Sequence, residues 1–78
     1  MFELKISAGN TRTTVTAETS DTIAKALRDN DLSTQGALVA VNGHILQMDQ
    51  LDNTFDQLGV RTGGTAILSV TVKADSAM

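Results

Sequence analysis

The sequence predicts a small α+β fold with four to five strands and one helix. Three observations lead to this prediction. Apolar and polar residues alternate with a period of two over Phe2 to Ser7, which is typical of a half-buried strand. The period changes after Asp21, where apolar residues recur at helical spacing. The pair Asn42-Gly43 then lies between two apolar runs, which is the strongest short-range signal for a hairpin.

Length and composition limit the classes of function. The chain of 78 residues is expected to form one domain over residues 1–72, with a flexible tail over 73–78. A domain of ~60 residues buries only roughly 60% of its unfolded surface, so we expect no deep catalytic cavity. The absence of cysteine excludes disulfides, thiolate zinc sites and cysteine nucleophiles, and makes the cytoplasm the expected compartment.

Charge and hydropathy argue against two kinds of partner. The net charge is -3, the six Lys and Arg residues are scattered singly, and two Phe residues are the only aromatic ones, so nucleic acid is not an expected partner. The longest apolar run, Ala37 to Val41, is far shorter than the ~20 residues that span a bilayer, so a membrane is not expected either. The alternation at the N-terminus predicts a strand and not a signal peptide.

The first half of the chain predicts a hairpin followed by a helix. Gly9 and Asn10 tolerate a positive φ, and the Thr- and Val-rich run Thr11 to Glu18 then predicts a second, antiparallel strand. The cluster Thr19 to Asp21 predicts the helix start, and Asn30 to Ser33 its end, before a connecting loop from Ser33 to Gly36. The expected inward residues are Phe2, Leu4 and Ile6 of the first strand, Thr13, Val15 and Ala17 of the second, and Ile23, Ala26 and Leu27 of the helix, with Leu32 anchoring the exit.

The second half of the chain predicts the hairpin Ala37 to Leu46, a helical turn and a last strand. The turn covers Thr54 to Val60, is capped by Asn53 or Thr54, and stops at Gly59. A tight turn at Arg61 to Gly64 leads into a strand over Thr65 to Val72. The expected inward residues are Val39 and Val41 of the hairpin, Phe55, Leu58 and Val60 of the turn, and Ala66, Leu68, Val70 and Val72 of the last strand.

This order of elements resembles the ubiquitin-like β-grasp superfamily over residues 1–72. The most specific match is the hairpin with glycine at its turn, followed by the short helical segment that ends at Gly59-Val60 and the run Gly63-Gly64-Thr65 into the last strand. The resemblance implies a mixed sheet of four to five strands packed on one helix, with the first and last strands parallel at its centre. Within the superfamily, the sequence resembles the small bacterial-type ubiquitin-like proteins that lack a C-terminal Gly-Gly.

Two departures from the family bear on function. Ubiquitin-like modifiers and sulfur carriers end in Gly-Gly, whereas this sequence ends in Lys73 to Met78 and its one Gly-Gly, Gly63-Gly64, is expected to form a tight turn. The resemblance also implies a recognition patch on the open face of the sheet. Ala40 takes the central position of that patch, and the expected partner-binding residues are Leu38, Ala40, His44, Ile67 and Ser69.

No residue pattern predicts a catalytic, cofactor-binding or metal site. General-base catalysis needs an orienting carboxylate and a pocket, so the single histidine, His44, is expected to be a solvent-facing strand residue. Asp49, Asp52 and Asp56 lack the ligand spacing and fixed glycine of a calcium loop, so we expect them to serve helix capping and solubility. The sequence therefore predicts that the protein is not an enzyme and binds no cofactor.

Two functional hypotheses remain open. The first is a non-catalytic interaction module, an adaptor or accessory subunit that presents the open sheet face or an edge strand to a protein partner. The resemblance supports it, because bacterial ubiquitin-like proteins without Gly-Gly tails are accessory components of larger systems, including type VII secretion and multicomponent monooxygenases. The second is a ubiquitin-type or sulfur-carrier-type modifier that is conjugated or activated at a processed C-terminus.

Overall fold

The computed structural model describes residues 1–32 and 37–72. The predicted connecting loop Ser33 to Gly36 and the predicted tail Lys73 to Met78 lie outside the described residues. None of the helices described is an apolar segment of membrane-spanning length. The elements in chain order are β1 (Phe2–Ala8), β2 (Thr11–Ala17), α1 (Ile23–Asp29), β3 (Ala37–Val41), β4 (His44–Leu46), two 3₁₀ helices (Met48–Asp52 and Asp56–Leu58) and β5 (Thr65–Val72).

All five strands form one mixed sheet in the order β2-β1-β5-β3-β4. β1 and β5 are parallel at its centre, with Leu4 opposite Ala66, and the other neighbouring strands are antiparallel. Parallel strands need a long crossover, and here α1 and the hairpin β3-β4 lie in the chain between β1 and β5. This arrangement is the ubiquitin-like β-grasp fold, so the α+β prediction is confirmed.

One apolar core lies between the sheet and α1. The inward side chains of β1, β3 and β5 pack there against the apolar stripe of the helix and against Phe55 from the connection to β5. The Phe2 and Phe55 rings are tilted by 57°, with centroids 4.9 Å apart, a favourable geometry for an aromatic pair. The buried residues are Phe2, Leu4, Ile6, Ile23, Ala26, Leu27, Val39, Val41, Leu51, Phe55, Val60, Ala66, Leu68 and Val70.

The helix starts later than the sequence predicts. Thr22 is the N-cap, and its Oγ1 accepts the backbone N–H of Lys25 at 3.1 Å. Asp21 does not cap the helix, because its carboxylate accepts the N–H of Glu18 at 3.2 Å. The predicted end is confirmed: Asp31 has a φ of 57°, and the N–H of Leu32 donates to the carbonyl of Leu27 at 2.8 Å, which closes a Schellman motif.

The connection between β4 and β5 holds more helix than predicted. The segment Met48–Asp52, predicted only as polar, is a 3₁₀ helix in which Gln50 Oε1 accepts the N–H of Gln47 at 2.7 Å. The predicted turn is the shorter 3₁₀ helix Asp56–Leu58 and stops at Gly59 as expected. Thr54, and not Asn53, makes the capping contacts with Gln57, at 2.8 and 3.2 Å.

Thr13 lies on the predicted inward side of the sheet, but it does not join the buried core. Thr13 pairs with Ile6, so its side chain lies on the helix side of the sheet, but it is exposed. β2 is an edge strand, and α1, with seven residues, is too short to cover its whole length. Val15 and Ala17 are half-buried and pack on the core as predicted.

Candidate functional site

The candidate site is the open face of the sheet, the side opposite α1. The pleat alternates side chains between the two faces, and Val39 and Val41 point to the core, so Leu38 and Ala40 point to the open face. The same alternation in β5 places Ile67 and Ser69 on the open face, and Ala40 is directly opposite Ser69. Four of the five predicted partner-binding residues are therefore brought together.

The fifth predicted residue, His44, lies on the other face. β3 and β4 are joined by the two-residue turn Asn42-Gly43, which pairs His44 with the inward residue Val41. Its predicted place on the open face is therefore wrong, whereas the prediction that it is a solvent-facing strand residue is confirmed, since His44 lies in β4 and is exposed. Ile45, which the sequence pattern did not predict as a site residue, is directly opposite Ala40 on the open face and takes the place of His44 in the site.

Ala40 and Ile45 are direct cross-strand partners, so their side chains share the open face. We call Leu38, Ala40, Ile45 and Ile67 the apolar patch. Leu38 is 47% exposed, Ile45 67% and Ile67 49%, while Ala40 is half-buried between them. Among the described residues, the only other large apolar side chains with such exposure are Met1 and Met48. Exposed apolar side chains are thus concentrated on three neighbouring strands of one face, which is typical of an interaction surface.

Asn42 fixes the position of Ile67 within the apolar patch. The N–H of Asn42 donates to the carbonyl of Ile67 at 2.8 Å, and Asn42 Oδ1 accepts the N–H of Ile67 at 2.9 Å. Asn42 and Gly43 have φ values of 51° and 86°, which are typical of a type I′ hairpin turn. The turn residue therefore also holds the backbone of β5 at the patch.

The other half of the open face is polar and carries cations. Lys5 is directly opposite Ile67 across β1 and β5, and Arg12 is opposite Ser7 across β1 and β2. Glu3, two residues before Lys5 in β1, lies on the same face, so this half carries two exposed cations and one carboxylate although the net charge of the chain is -3. A groove on this half is lined by Lys5, Ser7, Arg12, Thr14, Ile67 and Ser69.

The acidic side chains of the described residues do not form a ligand cluster. Within residues 1–32 and 37–72, no three His, Cys, Asp or Glu side chains group closely enough to hold a metal ion. Asp49 and Asp56 lie in the first turns of the two 3₁₀ helices, where a negative charge is favourable. On the surface of α1, Lys25 Nζ donates to Asp29 at 2.8 Å, which lowers the pKa of Asp29 and raises that of Lys25.

The pair Gly63-Gly64 forms the turn into β5. The N–H of Gly63 donates to the carbonyl of Met1 at 2.8 Å, and the carbonyl of Gly64 accepts the N–H of Glu3 at 3.0 Å. Gly63 has a φ of 84°, a conformation that other residues rarely adopt. Both glycines therefore connect the start of β1 to the start of β5.

Comparison with known proteins adds little to this geometry. No protein-family model matches the chain, and no curated protein matches it either. Among solved structures, the chain is similar to a ubiquitin-like protein from the hyperthermophilic archaea Caldiarchaeum subterraneum, with 18% sequence identity and a TM-score of 0.47. The similarity covers 85% of this chain and 91% of that chain. The fold assignment rests on the strand order and register described above.

Proposed function

We propose that the protein is a non-catalytic interaction module, an adaptor or accessory subunit of a larger protein assembly, and that it binds a protein partner through the apolar patch. The observation that supports this proposal is the concentration of exposed Leu38, Ile45 and Ile67 around Ala40 on one sheet face. Large apolar side chains in a rigid, flat setting are favourable binding contacts because they lose little side-chain entropy when they are covered.

The size of the patch suggests a modest affinity. Full burial of a Leu or Ile side chain contributes about 1.5–3 kcal/mol. About half of Leu38 and of Ile67, and about a third of Ile45, is already covered. Three such contacts contribute only a few kcal/mol, and association itself costs free energy. A module of this kind is best suited to an assembly in which several contacts act together.

The charges beside the patch specify the partner further. Lys5 is next to Ile67, and Arg12 lies on the same face. A partner segment with apolar side chains and nearby carboxylates would complement both halves of the open face. Reversal of Lys5 to Glu is therefore expected to slow association, and added salt is expected to weaken the complex of the unmodified protein.

The experiment has two steps. The partner is first captured from native lysate, identified by mass and purified, and its affinity is then measured for Ala40→Asp and Ile67→Asp. Met48→Asp is the matched control, because Met48 is 69% exposed and lies in a 3₁₀ helix outside the strands of the patch. We expect the two patch variants to weaken binding at least tenfold, since each buries a charge in the contact, and the control to bind like the unmodified protein.

Two results would contradict the proposal. Folded Ala40→Asp and Ile67→Asp proteins that bind the partner as tightly as the unmodified protein would exclude the open face as the docking surface. A covalent conjugate or a thiocarboxylate, found by intact-mass spectrometry of the protein isolated from cells, would instead support a modifier. Circular dichroism of each variant shows whether the fold is retained.

A further inference from the structure

β2 is a long sheet edge with little protection against pairing. Natural edge strands are commonly short, or carry Lys, Pro or a bulge. β4, at the opposite edge, has only three residues. β2 has seven residues, Thr11–Ala17, with a continuous register to β1, and Arg12 is its one charged residue. Within residues 1–32 and 37–72, no element pairs with its outer side.

The backbone groups that β2 offers can be assigned from its pairing with β1. The hairpin closes at the pair Ala8 and Thr11, and a two-residue turn is closed by a hydrogen-bonded pair. Hydrogen-bonded and non-hydrogen-bonded pairs then alternate, so Arg12, Thr14 and Thr16 turn their backbone N–H and C=O groups outward. The backbone of Glu3, the partner of Thr16, supports this assignment. Its N–H donates to the carbonyl of Gly64 on the β5 side and therefore does not pair with Thr16.

We propose that a second copy of this chain pairs with the outer edge of β2, antiparallel and about a two-fold axis at Thr14. In this register Thr14 faces Thr14 of the second copy, and Arg12 faces its Thr16. All the outward backbone groups of both copies are then paired, which gives about six hydrogen bonds between the strands. A shift by one pair in either direction leaves outward groups of Arg12 or Thr16 unpaired.

Charge complementarity favours a second copy as the occupant. Arg12 would lie beside Thr16 of the second copy, and Glu3 of that copy is the next residue across the sheet. The distance from Arg12 to this Glu3 is two strand spacings, about 10 Å between backbones, which the two long side chains can bridge. The two Lys5 residues are three spacings apart, about 14 Å, which exceeds the Debye length of about 8 Å.

The side chains of β2 on the helix side of the sheet also fit against those of a second copy. In the same register Thr13 lies opposite Val15 of the second copy, and Val15 is half-buried in the monomer. Pairing therefore covers an apolar side chain that α1 leaves partly exposed. The two-fold axis is perpendicular to the sheet, so both apolar patches face the same side and lie at the two ends of one continuous sheet. The dimer would present two equivalent docking surfaces, independently of which partner binds them.

The first test measures the mass of the purified chain in solution. Sedimentation equilibrium from about 10 µM to about 1 mM covers the affinities expected of a small interface. We expect a reversible change from one chain, 8.2 kDa, to a dimer of twice that mass. A single-chain mass throughout this range would contradict the proposal, and so would a mass that continues to grow beyond two chains.

Substitutions at Thr14 test the backbone pairing. Thr14→Pro removes an N–H that points outward, and proline is tolerated on edge strands at such positions. We expect it to reduce dimerisation at least tenfold. Thr14→Ala is the matched control, because it removes the same side chain but keeps the N–H, and we expect its dimerisation to stay within about threefold of the unmodified chain. A folded Thr14→Pro protein that dimerises normally would contradict the proposal.

A charge exchange provides a second test that does not depend on how Thr14→Pro folds. Arg12→Glu and Glu3→Arg each bring like charges together across both halves of the interface, so we expect each to weaken dimerisation about tenfold. The double variant Arg12→Glu/Glu3→Arg restores the opposite charges and is expected to recover most of the affinity. Single variants that dimerise like the unmodified chain, or a double variant no better than either single one, would contradict this register.

Discussion

The side chain and the backbone of Asn42 hold both polar backbone groups of Ile67. Asn42 Oδ1 accepts the N–H of Ile67 at 2.9 Å, and the N–H of Asn42 donates to the Ile67 carbonyl at 2.8 Å. These bonds extend the ladder between β3 and β5 by one position beyond the pair Val41 and Leu68. Asn42, a residue of the hairpin turn, thus fixes the backbone from which the exposed Ile67 side chain of the apolar patch projects.

Replacing Asn42 should release the backbone of Ile67. Asn42→Gly keeps the left-handed conformation of the turn but removes the Oδ1 acceptor, and we expect a loss of about 1 kcal/mol of unfolding free energy. The amide hydrogen of Ile67 should exchange faster, which NMR can measure. Asn42→Asp is the matched control, because its carboxylate keeps an acceptor at the same position. Unchanged protection of the Ile67 amide in Asn42→Gly would show that the side-chain bond has no role.

The turn before β5 should depend on glycine at one position. Gly63 has a φ of 84°, and an added Cβ would meet no atom within 4 Å. Gly63→Ala therefore carries a backbone cost without a steric clash, and we expect it to lower the unfolding free energy by about 1–2 kcal/mol in urea denaturation. Thr62→Ala, at an exposed position in the same turn, should change it by less than about 0.5 kcal/mol. Equal stability of the two variants would contradict this account of the turn.

The ion pair on α1 should be visible as a shifted titration. The hydrogen bond from Lys25 Nζ, at 2.8 Å, lowers the pKa of Asp29, so in Lys25→Met the pKa of that carboxyl should rise toward its ordinary value. Because the folded-state pKa of Asp29 is lowered, its contribution to stability is present above its unfolded pKa and is lost as the pH falls through the folded one. An NMR titration of the Asp29 carboxyl that is identical in both proteins would contradict the pairing.

The Lys25 side of the same pair titrates in the opposite sense. The hydrogen bond to Asp29, together with the charge of Asp21, raises the pKa of Lys25. Its contribution is therefore present below the unfolded pKa of Lys25 and is lost as the pH rises through the folded one. Both groups are exposed, so the effect on stability should be small and should decrease with added salt.

The sequence predicts the fold well because its periodicities are strong. The alternation of Phe2, Leu4 and Ile6 and the stripe of Ile23, Ala26 and Leu27 both correspond to buried faces in the structure. The differences arise where polar side chains compete for local hydrogen bonds. Asp21 and Thr22 are both suitable helix caps, so the sequence alone does not decide between them. The 3₁₀ helices before β5 are held by hydrogen bonds of Gln side chains, and such bonds leave no apolar periodicity in the sequence.

The sequence predicts the candidate site except at one position, where it assigns His44 instead of Ile45 to the open face. His44 and Ile45 differ by one position, and a shift of one residue moves a side chain to the opposite face. Counting across the two-residue turn Asn42-Gly43 pairs Val41 with His44 and Ala40 with Ile45, as the structure shows. The length of the turn was therefore a signal in the sequence that identifies Ile45. The charge pattern of Lys5 and Arg12 depends on the strand order and could not be read from single positions.

The most direct test of the proposed function is to ask which surface touches the partner in the cell. A photo-reactive benzoylphenylalanine replaces Ile45 of the apolar patch in one protein and Arg28, an exposed residue of α1, in another. After irradiation, we predict a covalent adduct with the same partner protein from position 45 and none from position 28. An adduct from position 28 without one from position 45 would contradict docking through the open face.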